Sequence, residues 1–294
     1  MKKLWFVIVT LLIAGGVLCI VGAALGASGN GFYFGEGGLR MYSNEYSTIK
    51  EDNLEEIKNV DITTYSDNIN FIPSDHYGLE VYSRHDSKFT YNINNGNLTI
   101  NEKATYNFLI FNFNWEPDHI DIYFPADAEF EIVHLNNATG EIALEGLKAK
   151  SLDIKQAAGS VTIKNSVFDQ MKISNVTGDI NLTDVKAENV DADCQAGSIK
   201  ATGLESNGLK LNLTTGDARI SGNFLGNNDI NLVTGSVHLT VDGNERDFNR
   251  DINVTIGDVK VNGVNSGRGQ INMAAVNNLK ISTTTGDINI TFTK

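Results

Sequence analysis

A carboxylate or a serine hydroxyl follows a glycine directly at Glu141, Ser160, Asp179, Ser198, Asp217, Ser236 and Asp258, and the two types alternate. Oxygen ligands at regular spacing are what a hard cation such as calcium takes. The same residues also make turns, because glycine supplies an unusual φ and Asp or Ser side chains bond nearby amides. The calcium-binding nonapeptide needs a denser glycine and aspartate pattern than one "GD" per unit, so the column reads as turn chemistry. Asp217, Arg219 and His238 come nearest to an acid–base cluster. Polysaccharide cleavage needs paired carboxylates at set distances or a poised basic side chain. Thr162, Asn181, Lys200, Arg219, His238 and Lys260 read instead as a mixed surface row. No G-x-S-x-G or phosphate loop is present, and no two of the five histidines have zinc-ligand spacing. The chain is therefore expected to be no enzyme, with no catalytic, cofactor or metal residues.

The aromatic run "YNFLIFNFNWEPD" (Tyr106–Asp118) concentrates Phe108, Phe111, Phe113 and Trp115. Exposed, they would form a platform for a sugar or a partner. Covered, they would close the open end of a repeat array, whose terminal units need capping. The cap is the preferred reading.

These residues sit in a repeated frame. The phrases "TGEIAL", "AGSVTI", "TGDINL", "AGSIKA", "TGDARI" and "TGSVHL" place Gly140, Gly159, Gly178, Gly197, Gly216 and Gly235 at successive intervals of 19, and Gly257 and Gly286 repeat the phrase after longer gaps. A fixed period of this size marks stacked repeats. Apolar residues lie two and four places after each glycine, from Ile142/Leu144 to Ile288/Ile290. A second group precedes it, from Leu152/Ile154 to Leu279/Ile281. Each unit thus offers two short strands with one apolar face, which only stacking can bury. The expected fold is all-β: a single-stranded β-solenoid of ~19-residue coils over residues 132–294, with the glycines as structural turn residues. Residues 46–131 alternate with period two and read as an N-terminal β region or cap. Within them "NNGN" (Asn94–Asn97) reads as a hairpin turn, and "NLEEIKN" (Asn53–Asn59) as the one short helix. Residues 28–45 are glycine-rich and read as a linker.

Residues 1–27 differ from the rest. Lys2 and Lys3 precede a run without charge from Leu4 to Ala27. About 20 apolar residues cross a bilayer as a helix, and cleaved signal peptides carry shorter runs. Residues 4–27 therefore read as an uncleaved signal-anchor helix in the cell membrane. The two lysines favour a cytoplasmic N-terminus and an extracellular C-terminal domain. "GVLC" (Gly16–Cys19) is a poor lipoprotein site, because Leu18 is large. The ending "TFTK" carries no wall-sorting signal, so the helix would be the anchor. All 36 acids and 21 of the 23 bases follow Ala27, a net charge of 21 − 36 = −15 there, which argues against nucleic acid as a partner. Cysteine is limited to Cys19 and Cys194, which leaves no disulfide framework.

The order of "VDITTYSDNINFIPSD" (Val60–Asp75), "NGNLTI" (Asn95–Ile100), "IDIYFPADAEFEI" (Ile120–Ile132) and the "TGDI" coils resembles a bacterial adhesin-type domain family of unknown function. In that family a β-solenoid is displayed by single-pass membrane proteins, the LiaG-type proteins among them. The resemblance covers residues 46–294 and carries over no catalytic residue. It implies a non-catalytic cell-surface solenoid that binds a cell-wall polymer or a membrane protein. One alternative is an accessory of an envelope-stress response that contacts a membrane sensor, and a second is a polysaccharide-active enzyme. The aromatic run near Phe108 and the irregular last two coils depart from the family pattern.

Overall fold

The computed structural model describes residues 10, 11, 15, 32–35, 38–41, 46–84, 88–103, 108–111 and 118–294. The expected membrane helix lies outside these, apart from Thr10, Leu11 and Gly15. Among the described residues no helix is long and apolar enough to cross a membrane. The chain forms two units. In the smaller, Phe32–Gly35 pairs antiparallel with Gly38–Met41 on one side and with Phe108–Phe111 on the other. The expected linker thus contains a hairpin.

The larger unit, from Ser47 onward, is a solenoid-like stack. Each central coil contributes a short strand such as Val161–Lys164 and a long one such as Val167–Thr177. Equivalent strands pair in parallel, one coil to the next: Val161↔Ile180 in the short-strand ladder and Leu152↔Met171 in the long-strand ladder. The period-two pattern of the sequence has a physical outcome here. Ile142, Val161, Ile180, Ile199, Ala218 and Val237 are all buried in one column, and Leu135, Ile154, Ile173, Ala192, Leu211 and Ile230 in another. Burial of one such Ile or Leu side chain stabilises the fold by roughly 1.5–3 kcal/mol, so each coil depends on its neighbours for most of its stability.

The stacking order departs from the chain order at both ends. At the C-terminal end the strand 218–234 pairs not with Phe248–Ile256 but with Asn277–Thr285, which in turn pairs with Phe248–Ile256. The short strands agree: Val237↔Ile288 and Val259↔Ile288. The last coil of the chain is therefore inserted between the coils of Gly235 and Gly257. At the N-terminal end Asn59–Thr64 lies between Asn97–Lys103 and Phe130–Thr139, and Asn68–Ser74 lies between His119–Pro125 and Ile142–Glu145. Neither terminal coil of the unit is outermost, and each has a neighbour on both sides.

Antiparallel strands close the outermost coils. Lys88–Asn94 turns through Asn95 and Gly96, with φ of 50° and 75°, onto Asn97–Lys103. Asn and Gly accept these angles at little cost. Tyr77–Arg84 covers His119–Pro125. At the other end Gly269–Ile271 covers Arg250–Ile252, and the Arg268 guanidinium donates to the carbonyls of Thr255 (3.4 Å) and Gly257 (2.9 Å). Covered edges of this kind resist pairing with other chains. The expected short helix at 53–59 is absent. Residues up to Leu54 belong to the strand Tyr46–Leu54, and Ile57 is buried in the core, so tertiary packing overrides a weak local pattern.

Candidate functional site

The glycine corners come first because they set every row on the surface. Gly140 to Gly286 have φ between 125° and 149° in the coils with the "TG" or "AG" phrase. A Cβ at Gly159, Gly178, Gly197, Gly216 or Gly235 would fall on the carbonyl of the corner glycine one coil earlier. Both the φ and the close approach call for glycine. The carboxylate beside the corner accepts from a main-chain amide of the adjacent coil. Asp179 Oδ1 accepts from the Ser198 amide (2.7 Å), Asp217 Oδ1 from the Ser236 amide (2.9 Å) and Asp287 Oδ1 from the Asp258 amide (2.9 Å). Among the described residues no group of three or more His, Cys, Asp or Glu has a metal-holding arrangement.

Two further columns went unread in the sequence although both keep the interval of 19. Gly146, Asn165, Asp184 and Gly203 form a second corner with φ between 51° and 68°, which only Gly, Asn and Asp adopt readily. Asn137, Gln156 and Asn175 are buried amides. Asn137 donates to the carbonyl of Asp67 (2.7 Å), Gln156 to that of Gly140 and Asn175 to that of Gly159 (3.0 Å). Cys194 continues the column, its Sγ 3.4 Å from the Gly178 carbonyl, and burial pushes its thiol pKa up.

Outside, the long-strand ladder carries a row in which Asp alternates with Lys or His: Asp61, His134, Asp153, Lys172, Asp191, Lys210, Asp229, Lys280, Asp251. Contacts along it include His134–Asp153 (3.3 Å), Lys210–Asp191 (3.3 Å) and Lys280–Asp229 (3.4 Å). Exposed pairs contribute only ~0–1 kcal/mol each. Their sign order matters more, because like charges directly opposite are unfavourable. The alternation is unbroken only because the last coil is inserted; stacking in chain order would set Asp229 against Asp251. Beside this row lie Ser151, Gln170, Asn189, Gly208 and Asn227, with Asn278 and Asn249 continuing in register. A groove of about 740 Å³ runs over both rows from Ser151 to Asp229.

The short-strand face carries Thr162, Asn181, Lys200, Arg219, His238, Asn289 and Lys260 in that spatial order. Arg219 Nη2 lies 2.9 Å from Asp217 Oδ2. The Ser236 amide first, then Arg219, hold the Asp217 carboxyl below the usual range. A carboxylate held ionised in this way is a poor general acid. Arg219 and His238 are exposed and adjacent, but they point outward from an open face.

The most perturbed group is elsewhere. Asp67 occupies the corner position of its coil where later coils have glycine, since Asn68 pairs its side chain with the Glu141 amide (2.8 Å). Its side chain is fully buried, and burial first, then the charges of Glu102 and Asp118, push its pKa up to about 8. Asp118, also buried, precedes the strand that stacks on Asn68–Ser74. Three chain-distant segments make this acidic cluster, so no local motif announces it. Of the aromatic run, Phe108 and Phe111 fall within the strand Phe108–Phe111, while Phe113 and Trp115 lie outside the described residues. Antiparallel strands lie over the outermost coils.

The model of the family described as Toastrack DUF4097 matches residues 57–291. The chain belongs to that family. The matched region begins at Ile57, the first buried residue of the stack, and runs through the inserted last coil. A comparison with curated proteins finds no match. Among solved structures the Toastrack chain is similar to a candidate adhesin from Bacteroides fragilis, at 15% identity over 84% of this chain and 98% of that one, with a TM-score of 0.48. It is also similar to a candidate lipid-binding protein from Parabacteroides distasonis, at 15% identity, 85% and 98% coverage and a TM-score of 0.44. A candidate adhesin from the same species matches at 12% identity, 84% and 97% coverage and a TM-score of 0.37.

Proposed function

We propose that this Toastrack protein is a non-catalytic binding protein of the cell envelope. The apolar segment 4–27 holds it in the membrane with a cytoplasmic N-terminus, and the stack lies outside and engages cell-wall polymer along its length. The observation that carries this reading is the long-strand face, where successive coils set Asp beside Lys or His in one row, and Ser151, Gln170, Asn189, Asn227, Asn278 and Asn249 add a hydroxyl or an amide to the row beside it. Such a surface suits a ligand that repeats along its own length, as a polymer does. The acid–base residues support binding better than catalysis, because Asp217 is held ionised and stands with Arg219 and His238 on an open face.

The test is retention of the full-length chain, purified in detergent, on isolated cell-wall material and against solubilised membranes. Saturable retention on the wall is the expected result. Capture of a membrane protein with no retention on the wall would overturn this reading and favour the accessory of an envelope-stress sensor.

A further inference from the structure

We propose that the groove over the long-strand face binds an uncharged linear glycan laid along the stack axis, and that Gly208 is the opening that admits it. This rests on the reading of the protein as an envelope binding protein and adds the surface and the ligand class. The amide row supplies the first argument. Asn278 Nδ2 donates to Asn227 Oδ1 (2.8 Å) and Asn249 Nδ2 to Asn278 Oδ1 (2.9 Å), so amides bond from coil to coil along this row. The run stops at Gly208, between Asn189 and Asn227.

The long-strand ladder shifts register between Ser206 and Gly208, but no left-handed conformation asks for glycine there. Its φ lies outside the left-handed region, and an added Cβ would crowd Asn189 Oδ1 at 3.0 Å, the end of an exposed side chain that can move, and lie 3.7 Å from the Asn227 carbonyl. The corner glycines differ, because each faces a carbonyl that leaves no room. A strand glycine gives up backbone entropy and a packing partner, and such positions mark a bulge or the close approach of another molecule. The gap falls within the groove, where Gln170, Asn189 and Asn227 lie beside the row of Lys172, Asp191 and Lys210.

The charge row selects the ligand. A polyanion laid along it would meet a carboxylate at every second coil, and a polycation an ammonium. Hydroxyl groups suit both, since they donate to Asp and accept from Lys. Coils repeat at roughly 4.8 Å, the spacing of hydrogen-bonded strands, which is close to the length of one saccharide unit. Successive coils can then serve successive sugars.

The experiment is calorimetric titration of the full-length chain in detergent with chito-, cello- and manno-oligosaccharides of increasing length, with polyglycerol phosphate as the charged comparator. At least one uncharged series is expected to bind, with affinity that rises with length up to about five units, one for each coil at the strand spacing. Gly208→Asn completes the amide row, and it is expected to weaken binding about tenfold without lowering Tm. Gln170→Ala, at an exposed position, is expected to weaken binding while the fold is unchanged, and it serves if the first variant fails to fold. Failure of every uncharged series to bind, binding of polyglycerol phosphate in their place, or wild-type affinity in both variants would overturn the proposal. Wall retention that survives in both variants would overturn the groove but leave the envelope reading standing; no retention of the wild type would remove that reading itself.

Discussion

Gly178→Ala will destabilise the protein by about 4 kcal/mol. Two costs combine: an L-residue held at φ near 131° loses roughly 1–3 kcal/mol, and forcing a methyl onto the Gly159 carbonyl loses a similar amount. The carbonyl cannot yield cheaply, because Gly159 itself abuts Gly140 in the same way. Two other glycines separate the contributions. Gly263 has φ of 77° with open space around it, so its Ala variant should lose only about 1–2 kcal/mol. Gly267 has open space and no positive φ, and its Ala variant should fall within about 0.5 kcal/mol of wild type. Thermal unfolding of the three variants checks the order. Equal losses at Gly178 and Gly263 would show that conformation alone, and not close approach, fixes the corner.

Asp67→Asn will stabilise the protein, and more so as pH rises. The Asp67 carboxyl titrates near pH 8 in the fold and near 3.9 in an unfolded chain. Between these values the folded state holds the extra proton, so stability falls with rising pH by up to about 1.4 kcal/mol per unit. Below about pH 4 the carboxyl is protonated in both states and costs nothing through this route. Above about pH 8 the loss is complete. Asparagine keeps the shape and has no proton to lose. The variant should match wild type near pH 4 and exceed it by a few kcal/mol at pH 8, roughly 5–10 °C in Tm for a chain of this size. Parallel Tm curves across this range would show that Asp67 is solvated and titrates normally.

The two predictions draw on features of different legibility. The glycine corners are visible in the sequence because one steric demand recurs in every coil and so recurs every 19 residues. The charge row was equally available: adding 19 to His134 gives Asp153, Lys172, Asp191, Lys210 and Asp229 in turn. The insertion of the last coil is a different matter. Apolar alternation in Leu279/Ile281 and Ile288/Ile290 tells which face is buried, but not which neighbour buries it, because any coil offers the same face. What distinguishes the neighbours is outside, where Lys280 fits between Asp229 and Asp251. The Asp67 cluster is illegible for a related reason: Asp67, Glu102 and Asp118 meet only once the first coil is placed between two later ones. Gly208 differs from the corner glycines in its φ and its surroundings, which the sequence alone does not carry.

The coil order underlies the surface rows, and a disulfide tests it directly. With Cys19 and Cys194 replaced, Asn231→Cys should cross-link to Ser282→Cys within one chain on mild oxidation, because these positions are direct partners. Asn231→Cys should not cross-link to Asn253→Cys, which stands two coils away at roughly 9–10 Å, beyond the ~7 Å that a disulfide spans. Mass spectrometry of the proteolysed protein reads both. A 231–282 bond alone is the predicted result; a 231–253 bond without it would mean that the coils stack in chain order, and the inserted coil and the unbroken charge row would both be wrong.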